Sequence, residues 1–200
     1  MNVDISSPLA KYAARHWILH AHSGTEINSR SSLVFALVMK LLREENIAFV
    51  NWVRLCDIDD FDQCELQKER VGIAKPLYYA SRAGFTEVSY ALLEMGVDAD
   101  AQGGMYGNAL QAASNRGHEA ITKLLINKGA DVNAQGGEDG NALQAASQGG
   151  HEAIAKLLAE KGADVNAQGG YYGNALQAAS HGGHEAIAKL LIEKGADVNA

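Results

Sequence analysis

The string Asn-Ala-Leu-Gln-Ala-Ala-Ser begins at Asn108, again at Asn141 and again at Asn174, a step of 33 residues each time. A unit of that size cannot bury an apolar face by itself, so neighbouring units must stack to share a continuous core. The product is an elongated array with a long exposed surface rather than a globule around a pocket. Binding is the function that such a surface serves by default.

Each unit reads as two short helices followed by a protruding turn. Asn108 is an N-cap, and Gln111 stands three residues on in the capping-box position, so the two side chains are expected to answer free N–H groups at the helix start. Asn141 with Gln144 and Asn174 with Gln177 repeat the pair. Leu110, Ala112 and Ala113 give the first helix a small-residue face for close packing, and the helix stops near Gly117. From about Glu119 a second helix carries Ile121, Leu124 and Leu125 at helical spacing, then Lys128 beside its negative end and Gly129 to terminate it. Residues 130–134 are expected to be extended, and Gln135-Gly136-Gly137 marks a turn.

The order Asn-Ala-Leu-Gln-Ala-Ala, Gly-His-Glu, Ile-x-Lys-Leu-Leu, Lys-Gly-Ala-Asp-Val-Asn-Ala resembles the ankyrin repeat, whose usual helix start is Thr-Pro-Leu-His-x-Ala. The resemblance implies an all-α ankyrin-repeat solenoid of about four units at 75–107, 108–140, 141–173 and 174–200, with Lys75-Pro76-Leu77-Tyr78-Tyr79-Ala80 opening a divergent first one. Residues 141–167 and 174–200 differ only at Gln148/His181 and Ala159/Ile192. Asn-Ala and Gln stand where the family has Thr-Pro and His, so the Asn/Gln pair must replace the family's Thr–His bonding. Gly136 occupies the turn position where Asp is usual, and Asp139 the one where Gly is usual, with Gly140 one place later.

Residues 1–74 differ in kind and read as a helical N-terminal cap over the open end of the array. Ser7-Pro8 starts a helix to about His22, with Leu9, Tyr12, Ala13, Trp17 and His20 at helical spacing. Ser31 and Ser32 start a second, with Leu33, Leu37 and Leu41 along one face. A third is expected over 47–55, with Phe49, Trp52 and Val53. The run Pro-Leu-Ala-x-Tyr-Ala-Ala-x-His-Trp, the Trp52 helix, an acidic loop and Pro-Leu-Tyr-Tyr-Ala-Ser together resemble the segment that joins the NTPase module to the ankyrin array in fungal NACHT-type NOD-like receptor proteins. The Tyr-Gly-Asn-Ala-Leu-Gln-Ala-Ala-Ser repeat variant resembles that group too. The resemblance implies a sensor portion or a short stand-alone relative. No Gly-x-x-x-x-Gly-Lys loop is present in the sequence, so nucleotide hydrolysis is not implied.

Composition excludes other classes. A chain 47% hydrophobic and 20% charged is neither disordered nor fibrous. Its longest apolar run, Leu33 to Met39, is too short to span a bilayer, and Lys11, Arg15, His16, His20 and His22 leave no room for a signal-peptide core, so no membrane partner is expected. Two cysteines, Cys56 and Cys64, offer no disulfide framework, and a cytoplasmic location is expected. The formal charge of −7 divides as −2 over residues 1–74 and −5 over 75–200, which argues against nucleic acid as partner. His16 and His20 lack the intervening Glu and third ligand of a zinc motif. The acidic residues Asp57, Asp59, Asp60, Asp62 and Glu65 lack the Gly and the closing Glu of a calcium loop. His118, His151 and His184 recur once per unit, which marks a requirement of the fold. No catalytic residue, metal or cofactor is assigned, and the chain is read as non-enzymatic.

Differences between the units are concentrated instead. They fall at the turn tips (Met105, Tyr106, Glu138, Asp139, Tyr171, Tyr172), at the end of the first helix (Arg82, Asn115, Arg116, Gln148, His181) and at a few second-helix positions such as Thr122 and Asn127. In the ankyrin family the tips and first helices line the concave face. Tyr106, Tyr171 and Tyr172 are the only aromatic residues after Tyr90, and as tip residues they are expected to be exposed and to anchor a protein or peptide ligand. Two other classes stay open at this point: a small enzyme or biosynthetic accessory with a cavity near Tyr78, Tyr79 and Trp52, and a structural module that self-associates through its C-terminal end. The latter follows from the Leu190-Leu191-Ile192 helix, which carries no polar replacement of the kind a terminal repeat normally has.

Overall fold

The computed structural model describes residues 33–41 and 74–199. The expected helices at 7–22 and 47–55, both tryptophans, His16, His20, both cysteines and the acidic loop lie outside the described residues. Among those described, nine α-helices occur: α1 (Leu33–Leu41), α2 (Pro76–Arg82), α3 (Thr86–Glu94), α4 (Ala109–Asn115), α5 (Glu119–Asn127), α6 (Ala142–Gln148), α7 (Glu152–Glu160), α8 (Ala175–His181) and α9 (Glu185–Glu193). The short helices α2, α4, α6 and α8 stack in one layer, the longer α3, α5, α7 and α9 in a second, and α1 packs on α3.

Local sequence accounts for the helix starts. Pro76 opens α2 at a position where its missing N–H is no loss. Asn108, Asn141 and Asn174 hold extended backbone, and each side chain accepts the N–H of the Gln three residues on, at 2.9, 2.9 and 2.8 Å. The reciprocal half of the expected capping box does not form. The amide Nε2 of Gln111 donates forward to the carbonyls of Ala134, Gly136 and Gly140, at 3.0, 3.2 and 3.0 Å. Gln144 does the same one unit later, to Ala167, Gly169 and Gly173. These carbonyls belong to the loop and turn that end the same unit, so the Gln ties helix to hairpin where a box would have tied helix start to itself. Three carbonyls facing one amide outcompete a single cap N–H.

Of the apolar stripe expected on the second helices, Ile121, Leu125, Leu158 and Leu191 are fully buried and Ile154 and Ile187 nearly so, while Leu124, Leu157 and Leu190 are half-buried. Burial of each such side chain is worth about 1.5–3 kcal/mol, and the closest packing between units is made by the small-residue first helices. Leu110 and Leu143 close the row from the first-helix side. At the α1 end the core passes to large residues: Tyr78 and Tyr79 are buried and meet edge to face, 5.3 Å apart, while Val38 of α1 is buried in the same core and Phe35 and Met39 pack against it. Tyr78 and Tyr79 are thus core residues.

Two hydrogen-bond ladders run from unit to unit. Nε2 of His118, His151 and His184 meets the first-helix carbonyls of Arg82, Asn115 and Gln148, at 3.1, 2.8 and 3.1 Å. A carbonyl only accepts, so Nε2 carries the proton and donates. The ring also fills the space above a glycine of the preceding unit: a Cβ at Gly84 would stand 2.7 Å from His118, and one at Gly117 2.5 Å from His151. The once-per-unit Gly-His pair is therefore a packing device. The second ladder uses the Asp-Val-Asn strings. Asn133 accepts the N–H of Asp164 at 2.8 Å and donates to the carbonyl of Gly162 at 3.1 Å, and Asn166 treats Asp197 and Gly195 alike. Asp100, which holds this position in the first unit, accepts the N–H of Asp131 and has no amide with which to donate.

Candidate functional site: the tip face

Each unit ends in a tight hairpin closed by a backbone bond, Gly103 to Gly107, Gly136 to Gly140 and Gly169 to Gly173, at 2.6, 2.8 and 2.8 Å. Successive tips are joined: the N–H of Glu138 donates to Met105 O at 3.0 Å, and that of Tyr171 to Glu138 O at 2.7 Å. Gly137 and Gly170 make this approach feasible, because any Cβ there would collide with the backbone of the preceding tip. Met105, Glu138 and Tyr171 thus stand in one fixed line. Tyr106, Asp139 and Tyr172 form a second line beside it, one residue closer to the first helices.

The structure brings the variable tip residues against the variable helix-end residues. The ring of Tyr106 has the guanidinium of Arg82 5.4 Å and that of Arg116 5.7 Å from its centroid. One position along, Asn115 Nδ2 donates to Asp139 Oδ2 and to Gln148 Oε1, both at 2.9 Å. At the third, Tyr172 packs on His181 with centroids 4.8 Å apart, and Tyr171 packs edge on to Tyr172 at 5.0 Å. The eleven tip and first-helix-end residues lie along this one strip, whereas the other varying positions, such as Thr122 and Asn127, are on the second helices.

Exposure separates them. Tyr171 is 84% exposed, and Glu138, Arg116 and His181 are exposed. The expectation that every tip tyrosine is exposed does not hold: Tyr106 and Tyr172 are half-buried, Tyr106 because its N–H reaches the Tyr78 hydroxyl (3.3 Å) while its ring lies against the two arginines. Arg82 and Asp139 are buried at 7% and 8% exposure, which makes them supports of the strip rather than its outer surface. Burial pushes the Asp139 carboxyl above its ordinary 3.8, the bond from Asn115 pulls it back, and the charge of Glu138 adds to the rise. Sequence reasoning missed Gly149 and Gly182, which occupy the place of Arg116 in the third and fourth units. By the 33-residue step, Gly149 takes this place beside Asp139 and Gly182 beside Tyr172, so neither of those tips has a counterpart of the Arg116 side chain. The signal was available in the column Ala83, Arg116, Gly149, Gly182 but carried no chemistry of its own.

No group of three or more His, Cys, Asp or Glu side chains is placed to hold a metal ion among the described residues, and no described helix is long and apolar enough to cross a membrane. The arrangement sets two guanidiniums, two carboxyls and an edge-to-face pair of phenols along one strip.

Comparison with known proteins agrees with this architecture. Over 119 residues the chain is 38% identical to a protein described as "Azaphilone pigments biosynthesis cluster protein L" from Monascus ruber, an alignment covering 53% of this chain and 24% of that protein. The chain therefore matches about a quarter of that relative's length. The family model described as ankyrin repeats (3 copies) matches residues 38–136 and 110–200. With stacked helix pairs, hairpin tips and a family match over most of its length, the chain belongs to the ankyrin-repeat family.

Proposed function

We propose that this chain is a non-enzymatic recognition module that holds a protein or peptide ligand along its tip face. Ankyrin repeats generally mediate protein–protein interaction, and one observation carries the reading to particular residues. In units that are otherwise nearly identical, the framework side chains are bonded within and between units, whereas the residues that differ at the tips and first-helix ends meet on one strip, a few further differences such as Thr122 and Asn127 lying on the second helices. Arg116, Glu138 and Tyr171 are its exposed anchors, Met105, Tyr172 and His181 its flanks, and Arg82, Tyr106, Asn115, Asp139 and Gln148 the groups that hold them. In this reading residues 1–74 cap the array through α1, whose Val38 is buried in the core, and the net charge of −7 favours a cytoplasmic protein partner over nucleic acid. The resemblance to fungal NACHT-type NOD-like receptor proteins supports a sensor role in that setting.

A second reading is favoured by the name of the Monascus ruber relative. In it, the same strip docks the chain onto an enzyme of a biosynthetic cluster. Capture from a fungal lysate with the natural chain and with a Tyr171→Ala, Arg116→Ala, Glu138→Ala variant tests the shared claim. Proteins retained by the first and lost from the second support it, and identical retention refutes it; the identity of what is retained separates a receptor ligand from a biosynthetic enzyme.

A further inference from the structure

The exposed anchors of the tip face differ in chemistry from one unit to the next, and they do so in a fixed order. At the first tip Arg116 is exposed, with its guanidinium steadied by the Tyr106 ring. A guanidinium held by one face keeps its N–H edge for a carboxylate, to which it bonds in bidentate fashion. At the second tip Glu138 is exposed, and among the described residues no ion pair engages either Arg116 or Glu138. At the third, Tyr171 projects 84% into solvent beside Tyr172, and Gly182 stands where a counterpart of Arg116 would lie. Backbone bonds between tips fix the spacing of all three.

Resting on the reading that this face binds a peptide, we propose that its ligand is an extended segment bearing an acidic residue, a basic residue and an apolar or aromatic residue at three-residue intervals, lying across the first, second and third tips in that order. The interval follows from geometry. Packed helices lie about 8–10 Å apart, which sets the step from one unit to the next. An extended chain advances about 3.3 Å per residue, so about three residues match one step. Charge complementarity then assigns the acid to Arg116 and the base to Glu138, where the neighbouring Asp139 keeps a second carboxyl close by. The Tyr171–Tyr172 pair takes the apolar residue against its rings. Reversed charges would set a carboxylate against Glu138 and a cation against Arg116, so the order is enforced by repulsion as well as attraction.

Selection from a phage-displayed library of random dodecapeptides on the full chain tests this. Enriched sequences are expected to carry an acidic and a basic residue three apart, with an apolar or aromatic residue three further on. A peptide so selected should lose tenfold or more in affinity for Arg116→Glu and for Glu138→Lys. Repeating the selection on Arg116→Glu should replace the acidic preference with a basic one. All of the substituted residues are exposed, and an unchanged thermal unfolding curve confirms that each variant folds. Enriched peptides that depend on the tips but lack the order overturn this inference and leave the peptide-binding reading standing. No enrichment, or enrichment equal on a variant with Arg116, Glu138 and Tyr171 all replaced by Ala, overturns both.

Discussion

Asp100 and Asp139 show how single residues depart from the repeat and what that does. Asp100 sits where Asn133 and Asn166 each both accept and donate, and it keeps only the accepting half. Asp100→Asn supplies the missing amide opposite the carbonyl of Gly129, and is expected to stabilise the chain by about 0.5–1 kcal/mol, the net worth of one hydrogen bond. Urea denaturation measures it, and an unchanged or lowered midpoint speaks against the ladder as described. Asp139 is held above its ordinary pKa chiefly by burial. A carboxyl whose folded pKa is raised favours the folded state fully below its unfolded value, near 3.8, and that contribution disappears as pH rises through the folded value. At pH 7 the ionised group therefore costs stability. Asp139→Asn keeps an acceptor for Asn115 and should be at least as stable as the natural chain at pH 7, with the difference shrinking as pH falls through the raised folded value towards 3.8 and vanishing below it. A variant less stable at neutral pH would show the carboxylate to be favourable where it lies.

At the scale of elements, the once-per-unit contact between His and Gly explains why the second helices start where they do without a side-chain cap. Gly150 has φ +74° and lies under the His184 ring, 2.5 Å from a would-be Cβ, whereas Gly183 has φ +71° with nothing within 4 Å of that point. Both glycines share the backbone cost of Ala at positive φ, of order 1 kcal/mol. Only Gly150→Ala must also displace the ring and its bond to Gln148 O. It is expected to lose about 1–2 kcal/mol more than Gly183→Ala in thermal or chemical unfolding, and equal losses would show that the ring yields without penalty.

Helix pairs, Asn caps, apolar stripes and turn positions were legible in the sequence because each rests on interactions within a few residues. The forward reach of Gln111 and Gln144 was not, since the carbonyls they bind lie 23 to 29 residues away. The strip itself was legible from where the units vary. Which of its members face solvent was not, because the burial of Tyr106, Arg82 and Asp139 depends on contacts between tip and helix end.

The whole molecule is a one-dimensional stack, so its stability is a sum over units and their junctions. At one end α1 contributes Val38 to the core and sets Phe35 and Met39 against it. Removing residues 1–74 takes this cover from α3 and should cause aggregation or a broadened, less cooperative melting transition in calorimetry. A soluble 75–200 fragment with an unshifted melting temperature would show that block to be independent of the array. At the far end, Leu176 is half-buried where its counterpart Leu143 is fully buried, and Ile192 is 49% exposed where its counterpart Ala159 is half-buried.

The account divides the chain into residues that hold the array and residues that recognise. An alanine scan of both sets, read out by affinity for a captured or selected ligand alongside the melting temperature, tests that division directly. Arg116→Ala, Glu138→Ala and Tyr171→Ala are expected to weaken binding by about 1–3 kcal/mol for each anchor at a nearly constant melting temperature. Gln111→Ala and Gln144→Ala, which take their side-chain donor from the carbonyls of Ala134 and Gly136 and of Ala167 and Gly169, should lower the melting temperature through a loss of about 1–3 kcal/mol. Anchors whose replacement leaves affinity unchanged while the protein melts early would contradict it.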